Sequence, residues 1–131
     1  MSAKPESEAS ERARVVVVDD DPGVLMAVSR VLERAGHEVI RFDDPVKAQA
    51  LLTGDNTIDV AVLDVMLPHV SGLELLKQVK LVQPQLGVVM MTASSSIETA
   101  VAAVKAGAFD YLTKPFESLE NISLTVARAT E

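Results

Sequence analysis

Cysteine is absent from this 131-residue chain, which excludes a disulfide framework and any thiolate-ligated metal centre. Tryptophan is missing too and aromatics make up only 3% of residues, so a core has to be built from Val, Leu, Ile and Ala. No apolar run approaches the roughly 18 residues needed to cross a bilayer. The opening from Met1 to Arg14 is polar and charged, without the apolar stretch of a signal peptide. A soluble cytoplasmic protein with no membrane partner is the expectation. Positive charge is also scarce, since 12 Lys and Arg face 19 Asp and Glu for a formal charge of −7. A nucleic-acid surface needs clustered cations to displace counterions, so this domain is not expected to bind nucleic acid directly.

Apolar content is high, at 48%, and the chain length suits one domain with a real core. Residues 1–13 read as a mobile N-terminal tail, because Met1 to about Arg12 has almost nothing to bury, and residues 14–131 as the folded unit. The central stretch is Val60-Ala61-Val62-Leu63-Asp64-Val65-Met66-Leu67-Pro68. Small and β-branched apolar residues ending in an acid describe a strand buried on both faces, with a charged group at its carboxyl end. Val15 to Val18, followed by Asp19-Asp20-Asp21, repeats the pattern.

Helices and strands alternate along the rest of the chain. Asp21-Pro22-Gly23 opens a helix with Val24, Leu25, Val28, Val31, Leu32 and Ala35 on one face, closed by Gly36. A less apolar strand, His37 to Phe42, suits an edge. Asp44-Pro45 starts a short helix through Leu52 that Gly54 terminates, and Ile58 to Asp64 is the central strand. Ser71-Gly72-Leu73-Glu74 is a capping box for a helix carrying Leu75, Leu76, Val79 and Val82, stopped at Gln83-Pro84. Leu86 to Met91 is the fourth strand. The box Ser95-Ser96-Ile97-Glu98 then opens a helix whose inner stripe is expected to be Ile97, Val101 and Val104, closed by Gly107. Ala108 to Thr113 is the fifth strand, and the last helix carries Leu119, Ile122, Val126 and Ala129.

Five such strand–helix units with short, right-handed crossovers require an α/β fold: a flavodoxin-like (βα)5 doubly wound parallel sheet of strand order 2-1-3-4-5. In that order the first and third strands are neighbours, so Asp19, Asp20 and Asp64 converge at the topological switch point, with Thr92 and Lys114 along the same rim. Two ionised carboxylates about 4 Å apart repel by roughly 4 kcal/mol at an effective dielectric near 20. Such a group needs a counter-charge, and oxygen ligands without His or Cys favour Mg²⁺. Lys114 supplies a further cation, Thr92 a hydroxyl, and Asp64 a nucleophile able to form an aspartyl phosphate.

Val18-Asp19-Asp20-Asp21-Pro22, Leu63-Asp64-Val65-Met66-Leu67-Pro68, Met91-Thr92-Ala93 and Tyr111-Leu112-Thr113-Lys114-Pro115-Phe116 together resemble the receiver domain of two-component response regulators. The resemblance covers roughly Arg14 to the end. The stretch Gly107 to Phe116 is similar to receivers of nitrogen-regulation-type activators. The resemblance implies that Asp19 and Asp20 flank Mg²⁺, that Asp64 is the phosphoacceptor and a metal ligand, and that the Met66 backbone carbonyl is another. It also implies that Thr92 and Lys114 contact the phosphate and that Tyr111 is a switch whose rotamer follows Thr92. The implied donor is a sensor histidine kinase or a histidine phosphotransfer protein. The implied output is a changed surface on the fourth helix, fifth strand and fifth helix, through which a homodimer is possible. In many relatives an Asp precedes Gly where this chain has His69-Val70-Ser71-Gly72, a departure expected to touch packing alone.

Other readings compete. A haloacid-dehalogenase-like phosphatase also forms an aspartyl phosphate and carries Asp-x-Asp, here Asp19 and Asp21, but Gly23 departs from its pattern and no substrate cap is evident. A phosphorylation-independent pseudo-receiver usually lacks an acid or the Lys, and none is missing here. Asp21 reads as a cap, Tyr111 equally as half-buried core, and His37 and His69 as surface residues. Two finer expectations remain: the resemblance, with the tight turn after the fifth strand, implies a cis Lys114–Pro115 peptide, and the aspartyl phosphate is expected to be long-lived. The latter follows because neither Met66 nor Ser94 offers a side chain well suited to orient an attacking water.

Overall fold

Five short parallel strands form the centre of the computed structural model, which describes residues 12–55, 57–67, 69–93, 97–114 and 119–130. The strands are β1 (Arg14–Val18), β2 (Glu38–Phe42), β3 (Val60–Asp64), β4 (Gly87–Thr92) and β5 (Asp110–Thr113), in the order β2-β1-β3-β4-β5. Between and after them lie α1 (Pro22–Arg34), α2 (Pro45–Gly54), α3 (Gly72–Val82), α4 (Ile97–Lys105) and α5 (Leu119–Ala129). This is the doubly wound flavodoxin-like fold read from the sequence. All pairings are parallel, with Val18 opposite Leu63, Asp64 opposite Met91 and Thr92 opposite Thr113.

Alternation along each strand divides the core in two. Val16, Val18, Ala61, Leu63, Val88 and Met90 face α2, α3 and α4, packing on Leu52, Leu75, Leu76 and Val79. Val15, Val17, Val60, Val62, Val89 and Met91 face Val28 and Leu32 of α1 and Ile122 and Val126 of α5. With both faces covered, every residue of β3 is buried, as expected for a central strand. Each fully buried aliphatic side chain contributes about 1.5–3 kcal/mol of transfer free energy.

Local chemistry sets the helix starts. The Asp21 carboxylate accepts from the N–H of Gly23 and Val24, with Pro22 following, and Asp44 accepts from the N–H of Val46 ahead of Pro45. Ser71 Oγ accepts from Glu74 N–H at 3.1 Å, one half of the expected box. Gly36 and Gly107 have φ of +97° and +106°, the left-handed conformation that ends a helix at little cost to glycine. Gly54, expected to terminate α2, is instead its last helical residue, and Asp55 caps it in extended geometry.

Some faces depart from the sequence pattern. Ile97, Val101 and Val104 are 78%, 44% and 61% exposed, so they are not the inner stripe of α4. That helix is laid down on Ala103 and Ala106, whose small side chains allow close approach to the sheet. Val82 and Leu119, at a helix end, are also exposed, as is Ala35, just beyond α1. His37, expected on the surface, is buried, and its Nδ1 accepts the N–H of Ala13 at 3.0 Å. His69 is exposed, with φ of +70°. The Ser95-Ser96 start of the second box, Ser94, Pro68, Phe116 and the Lys114–Pro115 peptide lie outside the described residues.

Candidate phosphoacceptor site

The acids are delivered by strand ends. Asp19 follows β1 directly and is held by its N–H to the Phe42 carbonyl at 3.2 Å. Asp64 ends β3, and the next N–H, of Val65, continues the ladder to the Met91 carbonyl at 2.8 Å. Because β1 and β3 are adjacent, carboxylate oxygens of Asp19, Asp20 and Asp64 all fall within 4.8 Å of one another. Asp19 is wholly buried and Asp64 3% exposed, whereas Asp20 is open to solvent. The cluster therefore has a buried floor and one solvent-facing wall.

Lys114 reaches the cluster from β5. Its N–H donates to the Thr92 carbonyl at 2.6 Å, fixing its start, and its Nζ donates to Asp19 Oδ2 at 2.7 Å and Asp64 Oδ2 at 3.2 Å. Burial alone would lower the Lys114 pKa, but the hydrogen bond and charge of Asp19, then those of Asp64, outweigh it and the net direction is upward. Asp64 is pushed up, chiefly by burial; Asp19 adds to the rise, while the Met66 N–H and Lys114 oppose it. That N–H donates to Asp64 Oδ1 at 3.1 Å. The other Asp19 oxygen accepts from Asp21 N–H at 2.8 Å.

Thr92 ends β4 and is buried, one register step beyond the Met91 that faces Asp64. Tyr111 lies opposite Met90 and packs into the α2–α3–α4 side of the core. By strand alternation Thr92 and Tyr111 share that face, two residues apart in register. The structure thus joins Asp19, Asp20, Asp64 and Lys114 directly, sets Thr92 on the same rim, and leaves Tyr111 deeper in the sheet. Met66 projects at the rim, 71% exposed.

One contributor escaped the sequence reading. Gly72 is buried behind Asp64, where a Cβ would stand 2.0 Å from the Asp64 carbonyl oxygen, and its N–H donates to the Val65 carbonyl at 2.8 Å. The loop before α3 therefore packs through Gly72 directly against the backbone of Asp64 and Val65. Glycine directly after a Ser cap was the available signal.

Comparison with known proteins decides among the competing readings. The model of the response regulator receiver domain family matches residues 15–126. The chain belongs to this family. As a receiver it is a phosphoacceptor of two-component signalling and not a classical enzyme, and a receiver implies a cognate histidine kinase. The receiver is 41% identical over 114 residues to the DNA-binding transcriptional regulator NtrC of Salmonella typhimurium, covering 87% of this chain and 24% of that protein. It is 36% identical over 126 residues to the alginate biosynthesis transcriptional regulatory protein AlgB of Pseudomonas putida, covering 96% and 28%. The chain spans about a quarter of the length of these relatives. Among solved structures, the NtrX receiver domain from Brucella abortus superposes with a TM-score of 0.82 at 35% identity, covering 88% of this receiver and 97% of that chain. A BeF3-activated DrrB receiver domain gives 0.80 at 35% identity, with 90% and 97% covered.

Proposed function

We propose that Asp64 takes a phosphoryl group from a phosphohistidine of a partner sensor kinase or phosphotransfer protein, with Asp19, Asp20, Asp64 and the Met66 backbone carbonyl as the ligands of Mg²⁺. The observation that carries this reading is the bridging of two buried carboxylates by Lys114 beside an exposed third acid. Exposed Asp20 offers an entry side, and an all-oxygen donor set suits a hard divalent cation. When bound, the ion supplies positive charge against the charge of the phosphoryl oxygens.

The chain's own groups do the rest. An Asp64 carboxylate oxygen forms the new O–P bond as the P–N bond breaks, and the electron pair departs on the imidazole nitrogen. Lys114, already donating to both acids, turns to a phosphoryl oxygen, and the Thr92 hydroxyl donates to another. Movement of Thr92 vacates space on the sheet face it shares with Tyr111, which rotates inward and changes the α4–β5–α5 surface. Exposed Ile97, Val101, Val104 and Phe109 support that surface as the output, including a homodimer. The reading takes residues 14–131 as the receiver, residues 1–13 as its tail, and the cytoplasm as its setting. Resemblance to DNA-binding regulators supports control of a transcriptional regulator as the consequence. The phosphate is long-lived, because exposed Met66 offers water only a weakly accepting sulfur.

Acetyl phosphate with Mg²⁺ tests the reading. One added phosphoryl group should map to Asp64 and disappear in Asp64→Asn; phosphate persisting on that variant, or absent from the parent, refutes it.

A further inference from the structure

The described methionines differ sharply in access. Met90 and Met91 are wholly buried in β4, Met26 on α1 is 39% exposed, and Met66 is 71% exposed. The Met26 sulfur also accepts from Arg41 Nη1 at 3.8 Å. The residues on either side of Met66 are held, since Val65 is buried and Leu67 packs against the core. Only Met66 stands out, on a backbone unit whose N–H is bonded to the Asp64 carboxylate. The most accessible of these thioethers is therefore tethered beside the phosphoacceptor.

We propose that Met66 is an oxidation site through which peroxide shortens the life of the phosphoryl group on Asp64. The effect on lifetime rests on the phosphoacceptor reading above; the modification itself does not. In the step, a sulfur lone pair attacks one oxygen of hydrogen peroxide or an alkyl hydroperoxide and the O–O bond breaks. The departing oxygen keeps the bonding pair and takes up the peroxide proton, leaving as water or alcohol. Sulfur is oxidised by two electrons to the sulfoxide and the peroxide is reduced.

Sulfoxide formation replaces a weak acceptor by a strong, polar S–O acceptor at the same place. Loss of phosphate needs a water in line with phosphorus, and an acceptor at the rim can hold that water and receive its hydrogen bond. Oxidation thus turns an apolar guard into a water-binding group. The outcome is a receiver whose signal decays faster under peroxide, with Asp64, Thr92 and Lys114 all intact.

The test treats the folded chain with graded hydrogen peroxide and maps sulfoxide by peptide mass spectrometry. Met66 should oxidise first, Met26 later, and Met90 and Met91 only on unfolding. Oxidised and reduced samples are then charged with acetyl phosphate and Mg²⁺, and first-order phosphate loss is followed. Loss should be several-fold faster after oxidation, unaffected by peroxide in Met66→Leu, and fast without peroxide in Met66→Gln, which carries a strong acceptor. Oxidation of Met26 ahead of Met66, equal decay in oxidised and reduced parent, or peroxide acceleration persisting in Met66→Leu overturns the proposal. A parent that takes no phosphoryl group overturns the phosphoacceptor reading and the lifetime effect with it, while the order of oxidation still decides the modification site.

Discussion

Gly72 lies so close to Asp64 that a Cβ on it would be 2.0 Å from the Asp64 carbonyl oxygen and 2.8 Å from the carbonyl carbon. Both neighbours are backbone at the end of a buried strand, so neither can swing aside as a side-chain tip would. Gly72→Ala should therefore displace the loop or the strand end, at a cost of about 1–3 kcal/mol typical of overpacking, and should slow phosphorylation. Gly54→Ala is the contrast: nothing lies within 4 Å of its added Cβ, and a helical Gly→Ala change gains about 0.5–1 kcal/mol. Urea unfolding of both variants checks the pair; equal effects would refute the close-approach argument.

Asp64 also sets a pH dependence. Burial raises its pKa above the ordinary 3.8, so the folded chain holds this proton more tightly than the unfolded chain. Stability from this group is present at low pH and is lost as pH rises through the window from 3.8 up to the folded value. Above the folded value the ionised acid is a full cost. Asp64→Asn should therefore melt higher than the parent at pH 7 without added metal, and the gap should close as pH falls toward about 4. A parent more stable than the variant at pH 7 would refute the sign.

Lys114→Met removes the cation between two buried carboxylates. Breaking a buried ion pair from one side costs about 3–5 kcal/mol, and the low end applies because the Lys114 side chain retains 16% exposure. The same variant should bind Mg²⁺ more tightly, since the internal cation no longer competes for Asp19 and Asp64. Calorimetric titration and chemical denaturation measure the two effects. Weaker Mg²⁺ binding would show that Lys114 organises the acids and does not compete for them.

The face of α4 can be tested by pairing substitutions. Val104, 61% exposed, should accept Lys within about 0.5 kcal/mol, whereas Ala103→Leu should cost about 1–3 kcal/mol by overpacking. Thermal melts of the two variants suffice, and the reverse order would restore Val104 to the core.

The fold was legible because β1 and β3 are built on apolar runs and the first three helix starts carry their own caps, at Asp21, Asp44 and Ser71. The acids were legible for the same reason: Asp19 and Asp64 stand directly after such runs, and Asp20 follows Asp19. What escaped was relational. Periodicity shows that α4 has an apolar stripe beside an alanine stripe but not which one meets the sheet; the structure turns Ala103 inward. His37 was misread because its burial depends on Ala13, 24 residues away. Gly72 gave no periodic signal, since its role is the absence of an atom against a strand end.

Lys114 and Asp19 are bonded across 95 positions of sequence. During synthesis, all three acids are made well before the cation that neutralises them. A chain that stopped short of β5 would carry the three acids without Lys114, the cation bonded to Asp19 and Asp64. On the proposed reading, the phosphoacceptor site is thus completed only with the last strand, and copies cut short before β5 should accept phosphoryl groups poorly.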